Sequence, residues 1–426
     1  MPIFSLPSFI RLCLTSSVLL LPLAHLKAVL FGIPLYSVEA PVLIALGAYL
    51  YGWSRGASSL SENISLPNRF VIGSGLFFAG AALSFVMNPF SLTGLGMLKT
   101  WFVLPLIASW LWLQTKPDKQ ALERILLAWF GATLLSACIS LGYFFQGELT
   151  YDGRLAAWYA SANYLAFFLA PGVFLASHFF PRAFFFPRSG KRMFLPLFSG
   201  SGLILILAAL LLTRSYEIWV SILAASFIVL FLRRAPLFSW RKKIAFALLL
   251  ASIASLLIVF ESGSEKWQAL VGMDERSSLA SRVMIWQSAG KMIADHPVWG
   301  IGIGRFQEAY LAYQQYFPPY LEWAVPEPHS LYLALWLETG IIGLSGFFLL
   351  VAAWCREMFL LARSASASEY TKKTSTLLLA LLALYGVLGL VDTPFFKTDL
   401  AFAFWLLLAF GLGLLRESEK EKNLFK

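Results

Sequence analysis

His329 stands in the stretch Pro-Glu-Pro-His-Ser at 326–330, at the mouth of a long apolar segment that carries Gly340 and Gly343. Imidazole is the side chain whose ordinary pKa lets it exchange a proton near neutrality, which suits it to general-base work on a hydroxyl. The expected position is the first turn of the helix that follows Pro328. There the positive end of the helix dipole would disfavour the imidazolium and lower its pKa. Glu327 and Glu338 are candidate orienting partners. A purely structural histidine at a helix end is the other reading, and the residues alone leave both open.

A second group of residues has the chemistry of anion binding. Arg154, Arg214, Arg276, Arg282, Lys291, Arg305 and Lys397 fall in segments where basic residues are otherwise scarce. The guanidinium fork makes bidentate, charge-assisted hydrogen bonds to phosphate, so the set points to an anionic ligand. Taken singly, each is equally explained as a snorkelling or salt-bridged arginine. An aromatic run from Trp286 to Trp323 lies among them, suited either to a membrane interface or to sugar rings and polyprenyl chains. The glycines of GIGIGRF (Gly300, Gly302, Gly304) are spaced like a nucleotide loop. They follow no strand of a βαβ unit, so nucleotide binding is set aside.

These residues must be positioned by an apolar chain. Of 426 residues, 59% are hydrophobic and 13% charged, against roughly a quarter charged in soluble domains. Apolar runs of about 20 residues recur, each the length of a membrane-crossing helix. They predict an all-α polytopic membrane protein with spans near 8–25, 39–54, 70–87, 97–114, 121–144, 161–180, 194–212, 216–232, 244–261, 329–351, 376–392 and 399–416. The net charge of +10 is concentrated in stretches that each follow an even-numbered span: 55–69, 116–124, 182–192, 233–243, 356–373 and 416–426. The positive-inside rule makes that face cytoplasmic. The basicity is therefore a topology signal, and a nucleic-acid partner is not expected. A cleaved first helix would invert this bias, so Met1–Ala28 reads as the first span rather than a leader. Cys13, Cys138 and Cys355 have no metal-type spacing and read as small packing residues.

The chain thus divides into N-terminal spans (1–260), an outer loop (261–328), C-terminal spans (329–416) and a cytoplasmic tail (417–426). Within the loop, SSLASRVMIWQSAGKMIADHP has helical spacing with Ser277 and Ser278 as candidate caps, VWGIGIGRF is a glycine-rich turn, and FQEAYLAYQQYF is a second helix.

His329-Ser330, nine residues, then Gly340-x-x-Gly343 resembles the histidine signature of the O-antigen ligase family, whose domain is shared with O-antigen polymerases and bacterial protein O-oligosaccharyltransferases. SRVMIWQSAGKMIADHPVWGIGIGRF, GRLAAWYASANYLAFFLAP and DTPFFKTDLAFAFWLLLA resemble further blocks of that family, so the resemblance runs over roughly 90–410. It implies a GT-C-like fold and metal-independent, cofactor-free transfer of a glycan from undecaprenyl pyrophosphate to lipid A–core, on the periplasmic face of the bacterial inner membrane. His329 would be the base that deprotonates the acceptor, and Arg154, Arg282 and Arg214 would bind the pyrophosphate. Arg305, Asn163 and Trp286 would add substrate contacts. The family often places an arginine where Tyr216 stands, so Arg214 must reach the site from a shifted position, or that role is weakened. A polymerase or a protein-glycosylating enzyme shares this chemistry. A polyprenyl-glycan transporter would instead be expected to show internal repeats and midplane charges, and neither is evident.

Overall fold

The computed structural model describes residues 5–30, 33–56, 66–180, 194–232, 244, 278–316 and 325–424. Its elements, in order, are α1 (Leu6–Leu19), β1 (Lys27–Leu30), β2 (Ile33–Tyr36), α2 (Glu39–Ser54), α3 (Asn68–Met87), α4 (Leu92–Leu98), α5 (Leu104–Gln114), α6 (Lys119–Phe145) and α7 (Ala162–Phe179). Then come α8 (Phe194–Thr213), α9 (Tyr216–Leu232), α10 (Ser278–Asp295), α11 (Phe306–Tyr313), α12 (Leu331–Arg363), α13 (Glu369–Leu388) and α14 (Thr398–Leu424). A π-helical turn, Lys99–Val103, joins α4 to α5. The antiparallel pair of β1 and β2 was not foreseen from the sequence.

Among the described residues, seven helical segments are long and apolar enough to cross a membrane, and α1, α8 and α9 contribute shorter apolar helices. Helices stand at eleven of the twelve positions expected of spans, and the twelfth, 244–261, lies outside the described residues apart from Ile244. The chain is a multi-pass membrane protein. Helix starts follow local chemistry: Ser91, Asp118, Ser161 and Ser368 each accept a hydrogen bond from a backbone N–H of the first turn.

Close packing replaces hydrophobic drive inside a membrane, and small residues permit it. Helix α3 lies along α12 with Gly73 and Gly80 facing Leu350 and Gly343. A Cβ on Gly80 would lie 2.2 Å from the Gly343 nitrogen, and one on Gly346 would lie 2.3 Å from the Phe77 nitrogen. Phe77 then anchors an aromatic core with Phe102, Phe347 and Phe395, at ring separations of 5.2, 5.5 and 5.8 Å. Phe395 belongs to the short connector between α13 and α14, so this core fixes the connector. Pro105 has no N–H to offer the Trp101 carbonyl four residues before it. That carbonyl accepts from Trp405 Nε1 of α14 at 3.2 Å instead.

Basic side chains mark both ends of the bundle. At one end Arg11 faces Asp118 at 4.0 Å, Lys373 donates to the His178 carbonyl and Arg416 donates to the Leu113 carbonyl. The other end gathers Arg154, Arg282, His329 and Lys397.

Gly80→Leu should destabilise the bundle by about 1–3 kcal/mol, the usual cost of forcing side-chain volume into a filled interface. Thermal unfolding of the purified protein in detergent reads this directly, and a neutral outcome would remove the α3–α12 contact as a determinant of stability.

Candidate functional site

Three separate segments meet at the end that holds His329. The connector after α13 supplies Asp392, helix α10 supplies Arg282 and Trp286, and the chain just before α12 supplies His329. Asp392 is 1% exposed, and its two oxygens divide their partners. Oδ1 lies 3.5 Å from His329 Nδ1 and accepts from the Thr393 amide at 2.8 Å. Oδ2 lies 3.8 Å from an Arg282 guanidinium nitrogen. The same guanidinium nitrogen is 3.9 Å from Glu217 Oε1 in the first turn of α9.

His329 departs from its expected placement. Helix α12 begins at Leu331 with Ser330 as its N-cap. The histidine therefore precedes the helix, and its φ of 47° lies in the left-handed region. For a non-glycine residue that conformation costs about 1–3 kcal/mol and needs tertiary contacts to hold it. Trp286 Nε1 donates to the His329 carbonyl at 3.2 Å, and the Leu331 amide donates to the Gly389 carbonyl at 2.8 Å. The expected lowering of the pKa is overturned as well. Burial opposes the imidazolium, but the Asp392 carboxylate beside it outweighs burial and raises the pKa above the ordinary histidine value. Burial likewise pulls the Asp392 carboxyl up, while His329 and Arg282 outweigh it and hold that pKa below the usual range. The His329 contribution to stability is therefore present below the ordinary histidine pKa and fades as pH rises through the raised value.

The neighbouring arginines are also locked. Arg154 donates from Nε to the Thr213 carbonyl at 2.8 Å and from its terminal nitrogen to Asn163 Oδ1. Ser215 Oγ lies 3.1 Å from both Asn163 Oδ1 and Glu217 Oε1. A chain of polar groups thus runs from Arg154 through Asn163, Ser215 and Glu217 to Arg282, Asp392 and His329. Arg214 sits at the break between α8 and α9 with φ 48° and an exposed side chain. The irregular backbone there is what a shifted arginine required. Arg305 is held by Glu308 of its own helix at 3.3 Å. Among the described residues, no contact joins it to Asp392 or His329. Beside the cluster, Glu327 takes hydrogen bonds from Thr393 and Lys397, and Lys397 lies 4.3 Å above the Tyr164 ring.

The loop is docked by an exchange of helical hydrogen bonds. In an unbroken helix the Ile341 amide would bond to the Leu337 carbonyl. Here Gly340 adopts φ 65° and ψ −177°, and the two partners separate. The Ile341 amide donates to the Val298 carbonyl at 3.2 Å, and the Leu337 carbonyl accepts from the Ile301 amide at 2.8 Å. The segment after α10 is therefore inserted into the ladder of α12. Glu338 closes it by accepting from the Gly304 amide at 2.5 Å. A Cβ on Gly340 would lie 2.1 Å from the Val298 oxygen, and one on Gly300 would lie 2.2 Å from the Leu337 oxygen. Glycine is required at both places, and Glu338 serves this junction rather than the histidine.

Asp392 and Glu217 were not singled out from the sequence, although Asp392 opens the quoted DTPFFKTD stretch and Glu217 follows the Arg214 corner. Gly340→Ala combines a left-handed backbone with a direct clash and should cost about 1–3 kcal/mol. Limited proteolysis should then cut 278–316 faster than in the wild type, and an unchanged cleavage rate would contradict the inserted junction.

No curated protein matches the chain. A family model described as O-antigen ligase matches residues 201–348. The matched stretch contains Arg214, Glu217, Arg282, His329, Gly340 and Gly343, while Arg154 and Asp392 are brought to it by the fold. That stretch is thus similar to the domain shared by O-antigen ligases, O-antigen polymerases and oligosaccharyltransferases.

Proposed function

We propose that the protein is an inverting glycosyltransferase of the bacterial inner membrane. In this reading it ligates an O-antigen or oligosaccharide from undecaprenyl pyrophosphate to a hydroxyl of lipid A–core, at a site facing the periplasm. The observation that carries the reading is the shared carboxylate: Asp392 lies between His329 and Arg282, so a proton acceptor and a phosphate-binding cation are held together.

Nδ1 of His329 lies 3.5 Å from Asp392 Oδ1, beyond a formed hydrogen bond, and in this reading the carboxylate favours the proton on Nδ1 and leaves Nε2 to take the proton of the acceptor hydroxyl. The hydroxyl oxygen forms a bond to the anomeric carbon from the face opposite the donor phosphate. The bond from that carbon to the phosphate oxygen breaks, and its electron pair leaves on undecaprenyl pyrophosphate. Arg282 and Arg154, with Arg214 at the break beside them, stabilise the charge gathering on the leaving group. Asn163 holds Arg154 in place, and Trp286 holds the backbone of His329. The carboxylates of the site face cations: Asp392 faces His329 and Arg282, Glu217 faces Arg282, and Glu327 faces Lys397. That arrangement suits metal-independent transfer, in which fixed arginines do what a divalent ion does elsewhere. It also fits a GT-C-like enzyme, whose site lies where membrane helices meet an outer loop.

Purified protein, lipid-linked glycan and lipid A–core should give covalent product in the presence of EDTA. His329→Ala should lose at least about 100-fold of the rate, as expected when a general base is removed. Full activity in that variant would remove the base, activity abolished by EDTA would contradict metal independence, and translocation without covalent product would point to a transporter. A glycan or protein accepted in place of lipid A–core would reassign the acceptor.

The pH dependence has a defined sign. Neutral His329 accepts the proton, so kcat/KM rises with pH through its raised pKa. Asp392→Asn removes the charge that raises it, so the acidic limb should move to lower pH while the plateau rate falls. An unmoved limb would show that Asp392 does not tune the base.

A further inference from the structure

Arg282 is held in an unusual way for a guanidinium in so enclosed a position. Its side chain is 16% exposed, and one terminal nitrogen lies 3.8 Å from Asp392 Oδ2 and 3.9 Å from Glu217 Oε1. Both distances exceed hydrogen-bonding range. The cation is thus balanced electrostatically by two carboxylates from different elements, with a direct bond to neither. The two carboxylates are not equivalent. Asp392 is also engaged by His329 and by the Thr393 amide, so it is tied to its place. Glu217 has Ser215 as its hydrogen-bonding neighbour, on the same short break in the chain.

We propose that Glu217 is an exchangeable counter-ion for Arg282. It balances the guanidinium while the site is empty and gives it up to the phosphate of an arriving polyprenyl pyrophosphate. By competing for the same cation, it also limits how tightly the pyrophosphate product is held. The inference rests on the donor reading above and adds to it the group that sets donor affinity and product release.

Ser215 extends the exchange to the second arginine. Its Oγ lies 3.1 Å from both Glu217 Oε1 and Asn163 Oδ1, yet a hydroxyl has a single proton to donate. When Glu217 withdraws, that proton goes to Asn163 Oδ1, the atom that already accepts from Arg154. Occupancy at Arg282 is therefore felt at Arg154 through one hydroxyl.

The test is binding of undecaprenyl pyrophosphate to the full-length protein in detergent, compared among wild type, Glu217→Gln and Glu217→Asp. Glutamine keeps a partner for Ser215 but removes the charge, and should tighten Kd by about tenfold, within the range seen for close charge pairs. Aspartate draws the carboxylate back by one methylene and should give an intermediate Kd. In turnover, Glu217→Gln should lower the donor KM and lower kcat together, with product inhibition strengthened to match the tighter Kd. A role in structure alone would not produce that split. Binding by the wild type with unchanged or weaker binding by Glu217→Gln would overturn the counter-ion. No binding by the wild type would overturn the donor reading, and this inference with it.

Discussion

A buried carboxylate shared between a histidine and an arginine is the interaction on which this end of the molecule depends. Removing Asp392 from water is costly unless cations and donors meet it. His329, Arg282 and the Thr393 amide do so from three segments. The arrangement couples fold to chemistry, since the buried Asp392 carboxylate that needs these cations also raises the basicity of the imidazole. The aromatic core around Phe77 supports it from below by holding Phe395, three residues along the same connector.

Irregular backbone recurs in the segments that carry the candidate site and dock the loop. His329 and Arg214 both occupy the left-handed region, and Gly340 breaks the longest helix. In a membrane such breaks are tolerated where other protein groups satisfy the freed amides and carbonyls. Each break here has its replacement. The Thr213 carbonyl at the α8 break takes Arg154, and the Leu337 carbonyl at the α12 break takes Ile301. The inserted segment is continuous with α10, so the helix break and the placement of Arg282 have a common origin. Backbone strain, loop docking and the position of Arg282 are therefore linked.

Much of the architecture was legible from composition. Apolar runs of spanning length and basic stretches on alternate connections require only local counting, and the helices stand where those runs stand. Helices α10 and α11 and the glycine-rich turn between them were likewise visible from periodicity and glycine placement. The site was legible as a set of residue types, with His329, Arg154, Arg282 and Asn163 placed at one end of the bundle. Arg305 looked equivalent to the other arginines because one-dimensional scarcity cannot tell a cation paired within its own helix from one that faces carboxylates of other elements.

The amino-acid sequence by itself determined the membrane class, the alternation of basic connections, and the histidine and glycine signature, because hydropathy, charge and turn propensity are properties of neighbouring residues. Tertiary structure alone decided that His329 precedes its helix in a left-handed conformation, that Asp392 rather than Glu327 or Glu338 faces it, and that Glu338 instead fastens a loop into a broken helix. The imidazole pKa reversed direction for the same reason. The helix dipole could be read from local sequence, but a carboxylate brought 3.5 Å away by folding outweighs it, since Coulomb energy depends on distance in space and not on separation along the chain.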